Sequence, residues 1–145
     1  MPITECARNE VVTAGPRETV YEIARLMNEN NVGSVVITEE ARPVGIVTDR
    51  DLVLRVVSRD LDPRTTAVRE IMTRDLITVR EDIGIYDAMG CARSEGVRRL
   101  PIVNGDGELV GIITVDDIIR LLTQEMRCVT DIIASATPSG RVRAR

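Results

Sequence analysis

Threonine and aspartate occur twice in the same seven-residue pattern, and these side chains are well suited to hold a polar ligand. Residues 45–51 read Gly-Ile-Val-Thr-Asp-Arg-Asp, and residues 111–117 read Gly-Ile-Ile-Thr-Val-Asp-Asp. In each copy two β-branched residues indicate the end of a buried strand, and the threonine stands where a helix N-cap belongs. We therefore predict that a strand delivers each threonine and aspartate to the start of a helix.

This placement allows a structural role and a functional one. Thr-x-x-Asp forms a capping box when the threonine oxygen accepts from the backbone amide of the aspartate and the carboxylate accepts from the threonine amide. The same helix start offers free amides and a positive dipole end to a phosphate, while a carboxylate can accept hydrogen bonds from a ribose diol. A cap needs only a small polar residue, whereas both copies keep glycine, threonine and aspartate. That duplication favours a functional role.

The composition argues against an enzyme and against a nucleic-acid binder. The chain has no histidine and no lysine, so the commonest general base and metal ligand is absent and no lysine-based chemistry is possible. The net charge of −4 disfavours an extended basic surface for binding nucleic acid. The only aromatic residues are two tyrosines, so side chains on which bases could stack are nearly absent. All 19 basic residues are arginine, which favours bidentate contacts with phosphate or carboxylate.

The cysteines and the apolar runs indicate the cellular compartment of the protein. Cys6, Cys91 and Cys128 form no Cys-x-x-Cys spacing, so we expect neither disulfides nor a metal site and treat them as small apolar residues in a reducing compartment. No apolar run approaches the roughly 18 residues of a membrane span, and residues 1–13 do not resemble a signal peptide. We expect a cytoplasmic protein.

The elements around the two patterns are also duplicated. Residues from 68 onward repeat those from 3 onward at an offset of 65, which becomes 66 after one turn. Apolar residues at i, i+3, i+4 and i+7 predict one amphipathic helix in each copy. The sequence predicts an α/β fold of two β-α-β-β-α repeats packed about a pseudo-twofold axis, because units of about 55 residues cannot readily close a core alone. The predicted segments are repeat 1 (3–57), a linker (58–67), repeat 2 (68–122) and a C-terminal segment (123–145).

Finer expectations concern the ends of the elements. Asn104 to Gly107 are a strong signal for a hairpin turn, and residues 39–43 predict a looser version of the same turn. The last helix is expected to continue to about residue 134, followed by a disordered tail containing Arg141, Arg143 and Arg145. The remaining predictions are helical lead-ins over 3–10 and 68–75, and short strands over 11–13 and 76–79.

The two repeats resemble the cystathionine β-synthase (CBS) domain, which normally occurs as a tandem pair. The resemblance covers residues 3–122 and rests on Gly-h-h-Thr-x-x-Asp in both copies (h, apolar), with Val-Arg-Arg-Leu-Pro-Ile-Val at 97–103. It implies a disc-like pair, usually dimerised with a second pair, with two clefts that bind adenosyl compounds such as AMP, ADP, ATP or S-adenosylmethionine. It also implies that the motif aspartate contacts the ribose hydroxyls and the motif threonine contacts ribose or phosphate. These roles fall on Thr48, Asp51, Thr114 and Asp117.

Other residues near the motifs are candidates for the rest of a nucleotide. Arg98 and Arg99 are candidate phosphate ligands, and because successive strand residues point to opposite faces we expect only one to reach a given phosphate. Repeat 1 has Gly33-Ser34 at those positions, so the two clefts cannot be equal. Without Phe or Trp, adenine would lie between aliphatic walls. The candidates for those walls are Val12, Thr13, Ile77 and Thr78.

We therefore expect a non-enzymatic homodimeric module that binds an adenine nucleotide and reports its level to a separate effector protein. One alternative is an interaction scaffold without ligand, in which the motif residues are only caps. Another is a weak nucleic-acid binder acting through the arginine tail. The sequence leaves open the identity of the ligand, the number of occupied clefts, the cleft served by the two arginines, the dimer orientation and the partner.

Overall fold

The computed structural model describes residues 1–136 and contains two three-stranded sheets, each accompanied by two helices. In both sheets a short first strand pairs parallel with the middle strand, which pairs antiparallel with the third. The predicted α/β fold of two β-α-β-β-α repeats is confirmed. Repeat 1 comprises β1 (Thr13–Ala14), α1 (Val20–Asn30), β2 (Ser34–Glu39), β3 (Arg42–Thr48) and α2 (Asp49–Leu52), which continues as a π-helical turn (Val53–Val57). Repeat 2 comprises β4 (Val79–Arg80), α3 (Ile85–Glu95), β5 (Arg99–Val103), β6 (Leu109–Thr114) and α4 (Val115–Ala136).

The amphipathic helices bury most of the stripes that their spacing predicts, although Ala24, at the i+4 position of the first helix, is exposed. Helix α1 begins at a capping box between Thr19 and Glu22, and buries Val20, Ile23 and Met27 against its sheet. Its counterpart α3 buries Ile85 and Ala88. Each helix ends in a left-handed residue that reverses the chain toward the next strand, Asn31 in one repeat and Gly96 in the other.

The chain ahead of each repeat packs on the opposite repeat. Ile3 is fully buried in the core of repeat 2, and Val68 and Ile71 lie in the core of repeat 1. Four isolated backbone bridges join the lead-ins to the opposite repeats, and each bridge of one repeat has an equivalent 65 or 66 residues away in the other. The bridge Pro2–Gly84 is equivalent to Ala67–Thr19, and Arg8–Ile112 is equivalent to Thr73–Ile46. Each core therefore includes a segment of the other copy, and these reciprocal contacts follow a pseudo-twofold arrangement.

The lead-ins are not the helices expected from the sequence. Only single 3₁₀ turns form, over Ile3–Glu5 and Val68–Glu70. The backbone then extends, because Arg8 exchanges two hydrogen bonds of 3.0 Å with Ile112, and Thr73 exchanges bonds of 2.9 and 3.1 Å with Ile46. These tertiary bonds override the local helical pattern. The first strand of each sheet consequently starts later than predicted and is only two residues long.

The relative widths of the two hairpin turns are the reverse of the prediction. The second turn is the wider one, closed by the Asn104 Oδ1 atom, which accepts from the amides of Asp106 and Glu108 at 2.9 and 3.0 Å. The first turn is a tight two-residue connection in which Glu40 and Ala41 adopt φ of 50° and 65°. Such a turn normally contains asparagine and glycine, so its sequence gave no signal for it.

The Ala41→Gly variant is expected to be more stable than the parent by about 0.5–1 kcal/mol, since glycine adopts positive φ without the steric cost that Cβ imposes. Urea denaturation measures the difference. Gly105→Ala, in the other hairpin turn, is the control for a change confined to a surface turn. An Ala41→Gly variant less stable than the parent would contradict the assigned turn geometry.

Helix α4 extends beyond the body of repeat 2. It runs to Ala136, close to the predicted end, and every residue from Leu122 to Ala136 is exposed. No helix within residues 1–136 combines the length and the apolarity needed to cross a bilayer. The tail for which the sequence predicts disorder lies outside the described residues.

Candidate functional site

Two clefts lie between the repeats at corresponding positions. Cleft A, of about 220 Å³, has walls from residues 8–12 and 31–36 of the first half of the chain and from the Thr114 motif of the second. Cleft B, of about 230 Å³, has walls from residues 73–77 and 97–99 and from the Thr48 motif. A groove of about 320 Å³ runs between the two motifs and shares residues with both clefts. Each cleft alone is smaller than the roughly 300 Å³ typical of a ligand pocket, but cleft and groove together reach that size.

Both Thr-x-x-Asp motifs form complete capping boxes. The Thr48 Oγ1 atom accepts from the Asp51 amide at 3.2 Å, and the Asp51 Oδ2 atom accepts from the Thr48 amide at 2.9 Å. At the second motif the corresponding distances are 3.1 and 3.0 Å, and the Thr114 hydroxyl also donates to Asp117 Oδ2 at 2.9 Å. The structural role predicted for the motifs is therefore confirmed, and one carboxylate oxygen of each aspartate is committed to it.

The motif glycines have a packing reason. A Cβ atom on Gly111 would lie 3.0 Å from the carbonyl oxygen of Arg8, and one on Gly45 would lie 3.1 Å from that of Thr73. Both contacts arise because the exchanged lead-in pairs with the strand at this point. At Gly45 the side chain of Met72 lies nearer still, so the duplicated glycine reflects close packing of the exchanged lead-in on the strand, and its repetition is not evidence for ligand binding.

The second oxygens of the two aspartates have different surroundings. Asp117 is buried, with 3% of its side chain exposed, and its Oδ1 atom lies 3.2 Å from Arg8 Nε and 3.3 Å from Arg120 Nη1. The Asp51 side chain is 17% exposed, and its Oδ1 atom is 3.7 Å from Arg55 Nε. The Asp117 oxygen is therefore saturated by two guanidinium groups, whereas that of Asp51 has one distant ion-pair contact.

Arg98 and Arg99 border the same cleft. Both line cleft B and the groove, and Arg99 also reaches cleft A. Both members of the pair line cleft B, and the expectation that only one of them reaches a given phosphate stays a prediction. Arg98 lies immediately before β5, and its carbonyl accepts from the amide of Val115. The alternation of side chains along the strand therefore does not determine where the Arg98 side chain points. Arg98 lies 3.8 Å from Asp116, while among residues 1–136 Arg99 forms no ion pair.

The four adenine candidates divide into two pairs. Val12 lines cleft A and Ile77 lines cleft B, at positions 65 residues apart. Thr13 is exposed on β1 and Thr78 is half-buried, and neither is in the lining of either cleft.

Sequence reasoning missed two arginines of cleft A, Arg8 and Arg120. Arg8 was placed in a helical lead-in of its own repeat, and only the exchange of lead-ins brings it to the second motif. Arg120 follows Asp117 by three residues on α4, which is a helical spacing that brings side chains together. That spacing was a usable signal.

The cysteines and the acidic residues of residues 1–136 do not form a metal centre. Burial and then the negative charge of Asp117 raise the pKa of the Cys6 thiol, so this cysteine stays protonated and is a poor nucleophile. No group of three His, Cys, Asp or Glu residues suited to a metal ion occurs within residues 1–136. What the clefts offer is hydrogen-bonding oxygens, guanidinium groups and aliphatic walls.

Comparison with known proteins agrees with this architecture. The CBS domain family model matches residues 3–58 and 68–124. An uncharacterized protein of Methanopyrus kandleri is 45% identical over 120 residues, which are 82% of this chain and 61% of that protein. This chain thus spans about three fifths of that relative.

Two solved structures share the fold. A CBS domain protein of Pyrobaculum aerophilum, complexed with AMP, has a TM-score of 0.73 at 30% identity, covering 81% of this chain and 89% of that one. The CBS domain pair of protein MJ0100, in complex with 5′-methylthioadenosine and S-adenosyl-L-methionine, has a TM-score of 0.75 at 25% identity, covering 84% and 99%. Both are similar to this chain over nearly its whole described body.

Proposed function

The chain belongs to the CBS domain family, and we propose that it is a cytoplasmic, non-enzymatic regulatory module that binds an adenine nucleotide between its repeats. Candidate ligands are AMP, ADP, ATP and S-adenosylmethionine, and the bound state is read by a separate effector protein. The observation that carries the proposal is the Arg99 guanidinium, which forms no ion pair within residues 1–136 and lines a cleft together with Thr48, the threonine whose amide donates to Asp51.

The chemistry of the cleft matches the three parts of a nucleotide. A guanidinium group presents paired donors to phosphate oxygens. A motif aspartate can accept from ribose hydroxyls with its second oxygen while its first oxygen caps the helix. Ile46, Ile77 and Val97 supply the aliphatic walls for an adenine ring. The two similar structures were solved with adenosyl compounds, which supports this ligand class.

A ligand-free scaffold is the competing function, and one observation favours it. Both motifs form complete helix caps, as that alternative requires. Against it stands Arg99, which a cap-only site does not explain. The arginine tail of the third alternative lies outside the described residues.

A thermal-shift series with AMP, ADP, ATP and S-adenosylmethionine separates the first two functions. Ligand at a hundredfold excess over its dissociation constant should stabilise the protein by about 2.7 kcal/mol through mass action. Cytidine monophosphate at the same concentration is the control for general phosphate effects. An unchanged melting temperature with all four compounds at millimolar concentration would favour the scaffold.

We further propose that the protein is a homodimer that uses the exposed side of α4. Ile119, Leu122, Met126 and Val129 are exposed and follow one another at spacings of three, four and three residues, the pattern of a helix–helix seam. A helical segment of this length is marginal on its own in water, so a covering partner would stabilise it. The apolar residues exposed at the end of α2, such as Val53 and Val57, add to the surface available.

The Met126→Glu variant should weaken the dimer at least tenfold, because it puts a charge in the middle of the proposed seam. Gln124→Glu is the matched control, since it adds the same charge two residues away on the outer face of α4 and should leave the dimer intact. Light scattering across micromolar concentrations measures both. A parent protein that is monomeric at these concentrations would refute the dimer.

A further inference from the structure

We propose that the two clefts have different tasks: cleft B holds the nucleotide on Asp51, Arg98 and Arg99, and an ion-pair clasp of Arg8, Asp117 and Arg120 closes cleft A to ribose. This inference rests on the proposed function and assigns it to one cleft. It also gives Asp117, which family resemblance suggested as a ribose ligand, a role in holding the two halves of the chain together.

The clasp depends on two positions where the repeats differ. Arg8 corresponds to Thr73 at the offset of 65, and Arg120 corresponds to Leu54 at the offset of 66. Both arginines line cleft A. At the equivalent points next to the Asp51 motif, Thr73 lines cleft B and Leu54 is an exposed apolar residue. The asymmetry thus lies outside the Thr-x-x-Asp motifs, which are alike in both copies.

In cleft A the carboxylate has no oxygen left for a ribose. Asp117 Oδ2 accepts from the amide and the hydroxyl of Thr114, and Oδ1 accepts from Arg8 and Arg120. The Arg8 side chain lies between solvent and the carboxylate, being 53% exposed while Asp117 is 3% exposed. A diol would have to displace two charge-assisted hydrogen bonds in order to gain two of its own, so little net binding energy remains.

The aspartate of the motif at cleft B is held less tightly by arginine than Asp117 is. Asp51 Oδ1 is 3.7 Å from Arg55 Nε, longer than a hydrogen bond, and the side chain is more accessible than that of Asp117. Arg55 is held elsewhere, because its Nη1 atom donates to the carbonyl oxygen of Ile71 at 2.8 Å. Asp51 can therefore accept from a ribose without losing a strong partner. Arg98 and Arg99 line cleft B together with Thr48, and Asp51 is joined to Thr48 by the two hydrogen bonds of the capping box, so the proposed ribose ligand lies one residue contact behind the cleft wall.

Calorimetric stoichiometry with adenosine tests the assignment. The parent should bind one adenosine per chain. A variant combining Arg8→Thr with Arg120→Leu replaces both arginines of the clasp with the residues found at the equivalent positions, Thr73 and Leu54, and it should bind two adenosine molecules per chain. Asp51→Asn added to that variant should reduce the number to one again. Arg93→Ala, a charge removal on the exposed side of α3, is the control for a general loss of positive charge and should bind one.

A pair of conservative variants covers the case in which the clasp variant does not fold. Asparagine keeps the capping oxygen but replaces the second oxygen with a donor. Asp51→Asn should weaken AMP at least tenfold, and Asp117→Asn should change its affinity by less than about threefold. The reverse pattern, or two sites in the parent with one lost in Asp117→Asn, would overturn the inference and leave the proposed function standing. A parent that binds no adenosyl compound would overturn both.

Discussion

The Asp117→Ala variant is expected to lose about 2–3 kcal/mol of unfolding free energy. The change removes the aspartate half of a capping box, in which Asp117 Oδ2 accepts from the Thr114 amide and which contributes about 1 kcal/mol at most, together with two ion pairs from a carboxylate that is 3% exposed. Breaking a fully buried pair costs more, but Arg8 and Arg120 are 53% and 59% exposed and regain water. The loss is larger than for a cap alone because Arg8 anchors the exchanged lead-in to α4.

The matched control is Asp51→Ala. It removes the equivalent cap but only one long ion-pair contact, so its loss should be about 1 kcal/mol. Urea denaturation at one fixed protein concentration compares the two variants, since a dimer makes the midpoint depend on concentration. Equal losses would show that the clasp adds nothing to the cap.

The Arg99→Ala variant should weaken AMP by about tenfold to a hundredfold and adenosine hardly at all. A charged hydrogen bond contributes roughly 1.5–3 kcal/mol, and this guanidinium carries no ion pair among residues 1–136 that would compete for it. Arg99→Lys should give an intermediate loss, because lysine keeps the charge without the planar fork of donors. Competition titrations of AMP against adenosine measure the ratio.

Arg93→Ala is again the control, since it changes the net charge equally without touching a cleft. If Arg99→Ala weakened adenosine as strongly as AMP, the arginine would be supporting the shape of the cleft, and its role in binding phosphate would be wrong.

The sequence predicted the repeat architecture because its signals are local and occur twice. The stripe of α1, the strand pairs and both Thr-x-x-Asp caps follow from periodicity and capping chemistry within a few residues. The duplication then indicated that the halves pack on each other. Placement of Val12 and Ile77 at the clefts also followed, because equivalent positions have equivalent environments.

The features that the sequence did not predict depend on contacts between distant segments. Arg8 meets Asp117 only because the lead-in crosses to the opposite repeat, a separation of 109 residues that no local pattern encodes. The tight turn at Glu40 and Ala41 lacks the usual turn residues and is imposed by the strands on either side. The inequality of the clefts is expected from Gly33-Ser34, and the ion pairs of Arg8 and Arg120 with Asp117 add a second difference that the sequence did not predict.

The central claim, that this CBS pair binds an adenine nucleotide at a motif aspartate, is tested most directly by calorimetric titration of AMP into the parent and Asp51→Ala. The account predicts saturable binding in the parent and a loss of about tenfold to a hundredfold in the variant, with only a small fall in melting temperature. Unchanged AMP affinity in Asp51→Ala, accompanied by a lowered melting temperature, would show that the motif is a helix cap and would contradict the account.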